Sequence, residues 1–241
     1  MIQKVLYKYM LLYIVPLVIM PPIYVDREDV CLKHPFSMEV SGSRRSGKSQ
    51  FLKNLTERNV DFITPHIEKI FWYYTSPQPF FTEIKQKCPN VTFEEGLPNE
   101  DIIEIMRSYN GSKLLIFDDL MHEVQKRDDI KHIFTRGRHE NISIILTKQN
   151  LFSQGKHSRD IALNTDYLVL FGNVRDQSII STLDRQMNMK TLLQKIYKRA
   201  TTNPFSHLLI NLRSDCKEII RFRTKTFDKY PIFYDISKSS Q

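Results

Sequence analysis

Two glycines, a lysine and a serine stand at a spacing that suits phosphate chemistry: Gly42-Ser43-Arg44-Arg45-Ser46-Gly47-Lys48-Ser49, followed by Gln50. Gly42 and Gly47 allow the backbone to curl until successive N–H groups point inward at phosphate oxygens. A strand-like run ends at Gly42 and a helical pattern opens at Lys48, so a helix N-terminus adds its partial positive charge. In that setting Lys48 would reach the β- and γ-phosphates and Ser49 would hold Mg²⁺. Residues 42–50 are thus the expected nucleotide-binding loop, with ATP and Mg²⁺ as its expected ligands. Arg44 and Arg45 are unusual at the variable positions; they could add charge or face a neighbouring subunit.

A second group of polar residues sits at strand ends. Residues 113–117 read as a hydrophobic strand that runs into Asp118 and Asp119. Asp118 is placed to complete a Mg²⁺ shell, and Asp119 to orient or deprotonate an attacking water. A kinase passing phosphate to a hydroxyl does not need the second acid there. GTPases usually carry Asp-x-x-Gly after this strand, whereas here Leu120 and Met121 follow. The pair favours an ATP hydrolase that couples turnover to work. The next strand, residues 142–147, ends in Lys148-Gln149-Asn150, and Gln149 is the expected contact to both water and γ-phosphate. Between them lies Thr135-Arg136-Gly137-Arg138-His139. If subunits assemble in a ring, Arg138 first and Arg136 second are candidates to neutralise charge in a neighbour's site, with Arg159 and Arg175 behind them. A cation satisfying a helix C-terminus is the alternative.

These residues need a scaffold, and the apolar pattern supplies one. Strands are expected at 37–41, 69–75, 113–117, 142–147 and 167–171, and later at 207–212 and 219–226. Helices are expected at 48–57, 99–109, 128–136, 176–187 and 191–199. Continuous runs of Ile, Leu, Val and Phe separated by helices argue a mostly parallel sheet covered on both faces, an α/β fold.

The 241 residues, 41% hydrophobic and 26% charged, match one ordinary globular domain that needs no covalent staple. Residues 31–241 are expected to form it. Three scattered cysteines, Cys31, Cys88 and Cys216, exclude a disulfide framework or a zinc cluster and suit a reducing, intracellular compartment. The formal net charge of +8 favours a polyanionic partner. Residues 190–229 hold ten Lys or Arg against three acids. Within them Arg221, Arg223 and Lys225 alternate, which on a strand would put three cations on one face, a footprint for DNA phosphates. The alternative is a solubilising edge strand. Residues 9–20 form an apolar run preceded by Lys4 and Lys8 and broken by Pro16. It is shorter than a spanning helix requires. A buried strand or helix, a membrane contact, and an extension of residues 1–30 apart from the fold all remain open.

At this point the motifs converge on a known group. Residues 32–38 before the phosphate loop, Phe117-Asp118-Asp119-Leu120-Met121, Phe134-Thr135-Arg136-Gly137-Arg138-His139 and Thr147-Lys148-Gln149-Asn150-Leu151-Phe152 together resemble the genome-packaging ATPases of the FtsK–HerA superfamily. Such proteins occur in double-jelly-roll DNA viruses, poxvirus-like large viruses and Polinton/Maverick elements. The resemblance covers about residues 32–186, and Gly172-Asn173-Val174-Arg175-Asp176 looks like a later motif of that group. It implies a RecA-like core with additional strands and a catalytic acid, a homo-oligomeric ring, and translocation of double-stranded DNA into a preformed capsid with portal or vertex proteins. It implies an intracellular location in a host, cytoplasmic or nuclear, or association with the virion. Lys48 and Ser49 would serve phosphate and metal, Asp118 the metal, and Gln149 the sensing of hydrolysis. Many members carry Asp-Glu at the acid pair, so Asp119 is a departure that shortens the water-activating side chain. Another nucleic-acid motor such as a helicase, a small-molecule kinase and a nucleotide-gated scaffold are the competing readings.

Overall fold

In the computed structural model of the chain, residues 7–12, 23–98, 100–151, 158–173 and 177–236 are described. In chain order the strands are β1 (Tyr7–Leu12), β2 (Ile23–Val25), β3 (Leu32–Lys33), β4 (Ser37–Ser41), β5 (Ile63–Thr64), β6 (Lys69–Tyr74) and β7 (Val91–Glu95). They continue with β8 (Lys113–Asp118), β9 (Ile142–Lys148), β10 (Tyr167–Phe171), β11 (His207–Asn211), β12 (Phe222–Thr224) and β13 (Ile232–Tyr234). The helices are α1 (Arg27–Val30), α2 (Lys48–Glu57), α3 (Asn59–Phe62), α4 (Phe81–Lys87) and α5 (Ile102–Arg107). After these come α6 (Met121–Val124), α7 (Asp128–Arg136), α8 (Ser158–Leu163), α9 (Gln177–Gln186) and α10 (Leu192–Ala200).

The chain divides into two compact units, and one of the boundaries falls inside the phosphate loop, between Gly47 and Lys48. One unit contains residues 32–41 and 48–166. Its strands run in the order β4-β9-β8-β6-β7, and every neighbouring pair is parallel. All six residues of β8 and all seven of β9 are buried, so both faces of these strands are covered. That explains why they read as unbroken apolar runs instead of alternating ones. On one face Phe71, Tyr73, Leu115, Phe117, Ile144 and Leu146 pack with Ile102 and Met106 of α5 and Ile130, Ile133 and Phe134 of α7. The last three recur at i, i+3 and i+4, the stripe a helix turns toward a core. On the opposite face of β6, Trp72 meets Phe81 edge-on at 5.5 Å, and Phe81 stacks on Phe93 at 4.3 Å.

The other unit contains the described parts of residues 1–31, 42–47 and 167–241. Its strand order is β2-β1-β13-β12-β11-β10. Here the pairing from β10 through β13 is antiparallel, β1 joins β13 in parallel and β2 closes the edge antiparallel. The residue pairs Met10 with Ile232 and Leu12 with Tyr234 mark the β1 register. The described part of the N-terminal apolar run, residues 9–12, is therefore sheet strand; residues 13–22 lie outside the described residues. No helix among the described residues is long and apolar enough to cross a membrane.

Three expectations need correction. The helix expected at 99–109 spans only Ile102–Arg107 and is capped by Asp101, whose carboxylate accepts from the N–H groups of Ile103 and Glu104. The helix expected from residue 191 opens at Leu192, because Thr191 takes a left-handed φ of 74°. The strand expected at 219–226 is a 3₁₀ turn, Glu218–Ile220, followed by three strand residues, and Lys225 leaves it at φ 54°.

Candidate nucleotide-hydrolysis site

The phosphate loop is shaped by close packing that only glycine allows. A Cβ on Gly42 would lie 2.6 Å from both the Phe171 Cβ and the Ser46 Oγ. Gly47 sits at φ 110°, and a Cβ there would lie 3.1 Å from the Phe171 ring. The Ser46 N–H donates to the Ser43 carbonyl at 3.3 Å, closing the turn. Arg44 and Arg45 are exposed, with Arg45 at φ 61°. In the other unit, Lys48 and Ser49 open α2 and are half-buried. Burial draws the Lys48 ammonium below its usual pKa, while Asp119 and Asp118 pull it back up. Gln50 is turned along the helix: its amide donates to Asn54 Oδ1 at 3.1 Å on an exposed face.

The two acids differ in their surroundings. Asp118 ends β8 and is 7% exposed. Burial raises its pKa above the ordinary carboxylate value, opposed first by the hydrogen bond from Thr147 and later by Lys48. Asp119 stands outside the strand at φ 61°, in the left-handed region where Asp and Asn are the side chains most readily accommodated after glycine. The shorter acid at this position suits that backbone.

Neighbouring strands grip Asp119 on both sides. Its N–H donates to Thr147 Oγ1 at 2.8 Å, and its carbonyl accepts from Thr75 Oγ1 at 2.9 Å. The Gln149 amide donates to its Oδ1 at 3.2 Å. Thr147 in turn donates to Asp118 Oδ1 at 3.1 Å. One hydroxyl thus ties the two acids together. The alternation of β9 sends its next residue to the opposite face, where Lys148 meets Glu39 of β4 at 2.7 Å with both side chains almost wholly buried.

Asp118, Asp119, Gln149 and Lys48 therefore lie in one unit, the first three linked through the Thr147 hydroxyl and the Gln149 amide. Thr75, Thr147, Glu39 and Lys148 were not anticipated. The signal for Glu39 and Lys148 was available: a lone acid in Ser37–Ser41 and a lone base at the tip of the neighbouring strand.

No group of three or more His, Cys, Asp or Glu able to hold a metal occurs among the described residues. Mg²⁺ would need only one or two protein oxygens, with water and substrate phosphates completing its shell. Asp118, a carboxylate whose ionised form is penalised by burial, is the residue here that a cation would relieve.

Arg136 ends α7, is exposed, and lines a 310 Å³ cavity with His132, Arg107 and Glu140. Arg138 lies in the 3₁₀ turn Gly137–Glu140; its side chain is outside the described set, as is all of Arg175. Arg221, Arg223 and Lys225 do not form one cationic face. The Arg221 guanidinium is bound by Glu218 at 2.6 Å and by the Asn211 carbonyl at 2.7 Å. Arg223 is 6% exposed and donates to the Val30 carbonyl. Of the three, Lys225 is the exposed one.

A phosphate loop running into a helix, a parallel sheet, and an acid pair flanked by a polar strand end define a P-loop NTPase. A family model described as the poxvirus A32 protein matches residues 25–204, and the chain belongs to that family. No curated protein sequence matches it. Among solved structures, the genome packaging NTPase B204 from Sulfolobus turreted icosahedral virus 2 bound to ATP-gammaS is similar. It aligns with a TM-score of 0.51 and 15% identity over 78% of this chain and 96% of that one. The cytoplasmic domain of the Thermomonospora curvata type VII secretion ATPase EccC aligns with a TM-score of 0.50 and 11% identity. That match covers 88% of this chain but 27% of the larger one. At these identities the likeness is one of fold.

Proposed function

We propose that this chain is a genome-packaging ATPase that hydrolyses ATP to move double-stranded DNA into a preformed capsid. The observation that carries the hydrolytic reading is Asp119: its backbone is held between Thr75 and Thr147 and its carboxylate is hydrogen-bonded by Gln149. A residue fixed in this way keeps one carboxylate oxygen on Gln149 and offers the other to water. It takes the water's proton as the oxygen attacks the γ-phosphorus. Gln149 touches that base directly, so a change at the γ-phosphate passes into β9 and on to the Lys148–Glu39 pair. Lys48 stabilises charge on the transferred phosphoryl group. Ser49 and Asp118 would hold Mg²⁺, which supplies neutralisation of the phosphate oxygens.

Duplex DNA is the proposed track, a homo-oligomeric ring the proposed assembly, and capsid portal or vertex proteins the proposed docking partners. Arg138 or Arg136 would serve the neighbouring subunit's site. The working compartment would be the cytoplasm or nucleus of a host cell, or the virion. Family membership and the shared fold of B204, described as a genome packaging NTPase, support packaging over a small-molecule kinase. A contact of residues 9–20 with membrane is less favoured, since Tyr7–Leu12 is occupied in sheet pairing.

The test is ATP turnover with and without long duplex DNA at low and moderate salt, with Lys48→Ala as control. Stimulation by duplex that fades with salt is expected. Steady hydrolysis indifferent to DNA would contradict the motor reading.

A further inference from the structure

The phosphate loop borders a cavity of about 820 Å³ that the hydrolytic residues do not explain. Ser43, Arg44, Arg45 and Ser46 form one side of it. Residues of α9 and α10 and the segment 201–206 also line it. Its volume is that of an ordinary small-ligand site.

The turn at its rim is built against local preference. The Ser206 N–H donates to the Asn203 carbonyl at 3.2 Å, closing Asn203-Pro204-Phe205-Ser206 into a β-turn. Proline at the second position suits such a turn, and the third position, with positive φ, normally belongs to glycine or asparagine. Here it is Phe205, at φ 63°. The phenylalanine fills no core, since 71% of its surface is exposed. It lies against the phosphate loop instead: a Cβ on Gly47 would be 3.4 Å from the Phe205 Cβ. A large apolar ring in a disfavoured backbone, exposed at a cavity mouth beside a phosphate loop, is placed to meet a planar ligand.

The other walls agree with this. Tyr197 is buried and its hydroxyl is committed, donating to the Phe171 carbonyl at 2.8 Å and accepting from the Asn173 N–H at 2.9 Å. It fixes the end of β10 where the cavity begins. Gln194 and Asn203 supply side-chain amides, which can both donate and accept.

We propose that this cavity is the nucleoside subsite, with Phe205 stacking on the base and the amides of Gln194 and Asn203 reading its edge. The inference rests on the ATPase reading and adds the part of the ligand that the phosphate loop does not recognise.

The test compares ATP with inorganic tripolyphosphate, which has the phosphates without the nucleoside, binding to the full chain in a calorimeter. Phe205→Gly should weaken ATP about tenfold, the size of one lost stacking contact. It should leave tripolyphosphate affinity unchanged and thermal stability undiminished, because glycine suits the turn. Phe205→Trp should restore ATP binding, and its indole emission should respond to ATP but not to tripolyphosphate over the constant signal of the fully buried Trp72. Unchanged ATP affinity in Phe205→Gly, or equal losses for both ligands, would overturn the subsite while leaving the ATPase reading in place. A wild-type chain that binds neither ligand would remove both.

Discussion

The acid strand end and the basic C-terminal segment both announce themselves by charge, yet the structure treats them differently. At the end of β8, Asp118 and Asp119 are held by hydroxyls and an amide that orient their oxygens without neutralising them. In residues 190–229, Arg221 and Arg223 are consumed internally, by Glu218, by backbone carbonyls and by burial. His207 is likewise kept neutral, its pKa lowered to about 4 by burial and then by the Arg223 charge. A charge present in a sequence is available to a partner only where the fold has not already used it.

The largest effect that would sharpen this contrast comes from His207. Its folded pKa of about 4 lies below the ordinary imidazole value of 6.5. The unfolded chain thus binds the proton more readily, and stability is complete above pH 6.5 and lost as pH falls toward 4. The displacement corresponds to about 3 kcal/mol. Melting curves across that range should show the loss, and His207→Gln should flatten its pH dependence; an unaltered dependence would contradict the buried neutral histidine.

Arg223→Ala comes next. It should destabilise the fold by about 2–3 kcal/mol, since it empties a buried site and leaves the Val30 carbonyl without its charged donor. The salt dependence of DNA binding should not change. A changed salt slope in a fully stable variant would restore Arg223 as a phosphate contact.

Thr147→Val should lower kcat about tenfold with little change in KM, because the Asp119 N–H loses its acceptor and the acid its orientation. Thr147→Ser should recover most of the rate. Equal losses in both variants would reduce Thr147 to a packing role. The smallest effect is at Lys225, where glycine relieves the left-handed backbone and should stabilise the chain by about 0.5–1 kcal/mol. Unfolding titrations would measure it.

Much of the candidate site is legible in the sequence because its chemistry is local. The phosphate loop needs glycines at fixed spacing, and strands buried on both faces betray themselves as apolar runs ending in polar tips. The grip of Thr75 and Thr147 on Asp119 was not legible, because it depends on which strands lie side by side. The register of β6, β8 and β9 brings those residues together, and nothing in the spacing along the chain records it. The cationic face expected in the basic segment is missing for a related reason. Alternation of Arg221, Arg223 and Lys225 predicts a face only if the backbone is extended, and 3₁₀ and left-handed residues interrupt it. β13 escaped because three residues carry too little periodicity to stand out, and β7 because Val91–Glu95 is half-exposed and ends in two acids instead of forming an apolar run.

The account depends most on Asp119 as the hydrolytic base, and single-turnover hydrolysis of prebound ATP by Asp119→Asn tests it directly. The amide keeps the size and the left-handed backbone preference of the acid but cannot accept the water's proton. ATP should bind as tightly as to wild type while hydrolysis slows by about 10²- to 10⁴-fold. Hydrolysis at the wild-type rate would contradict the assignment.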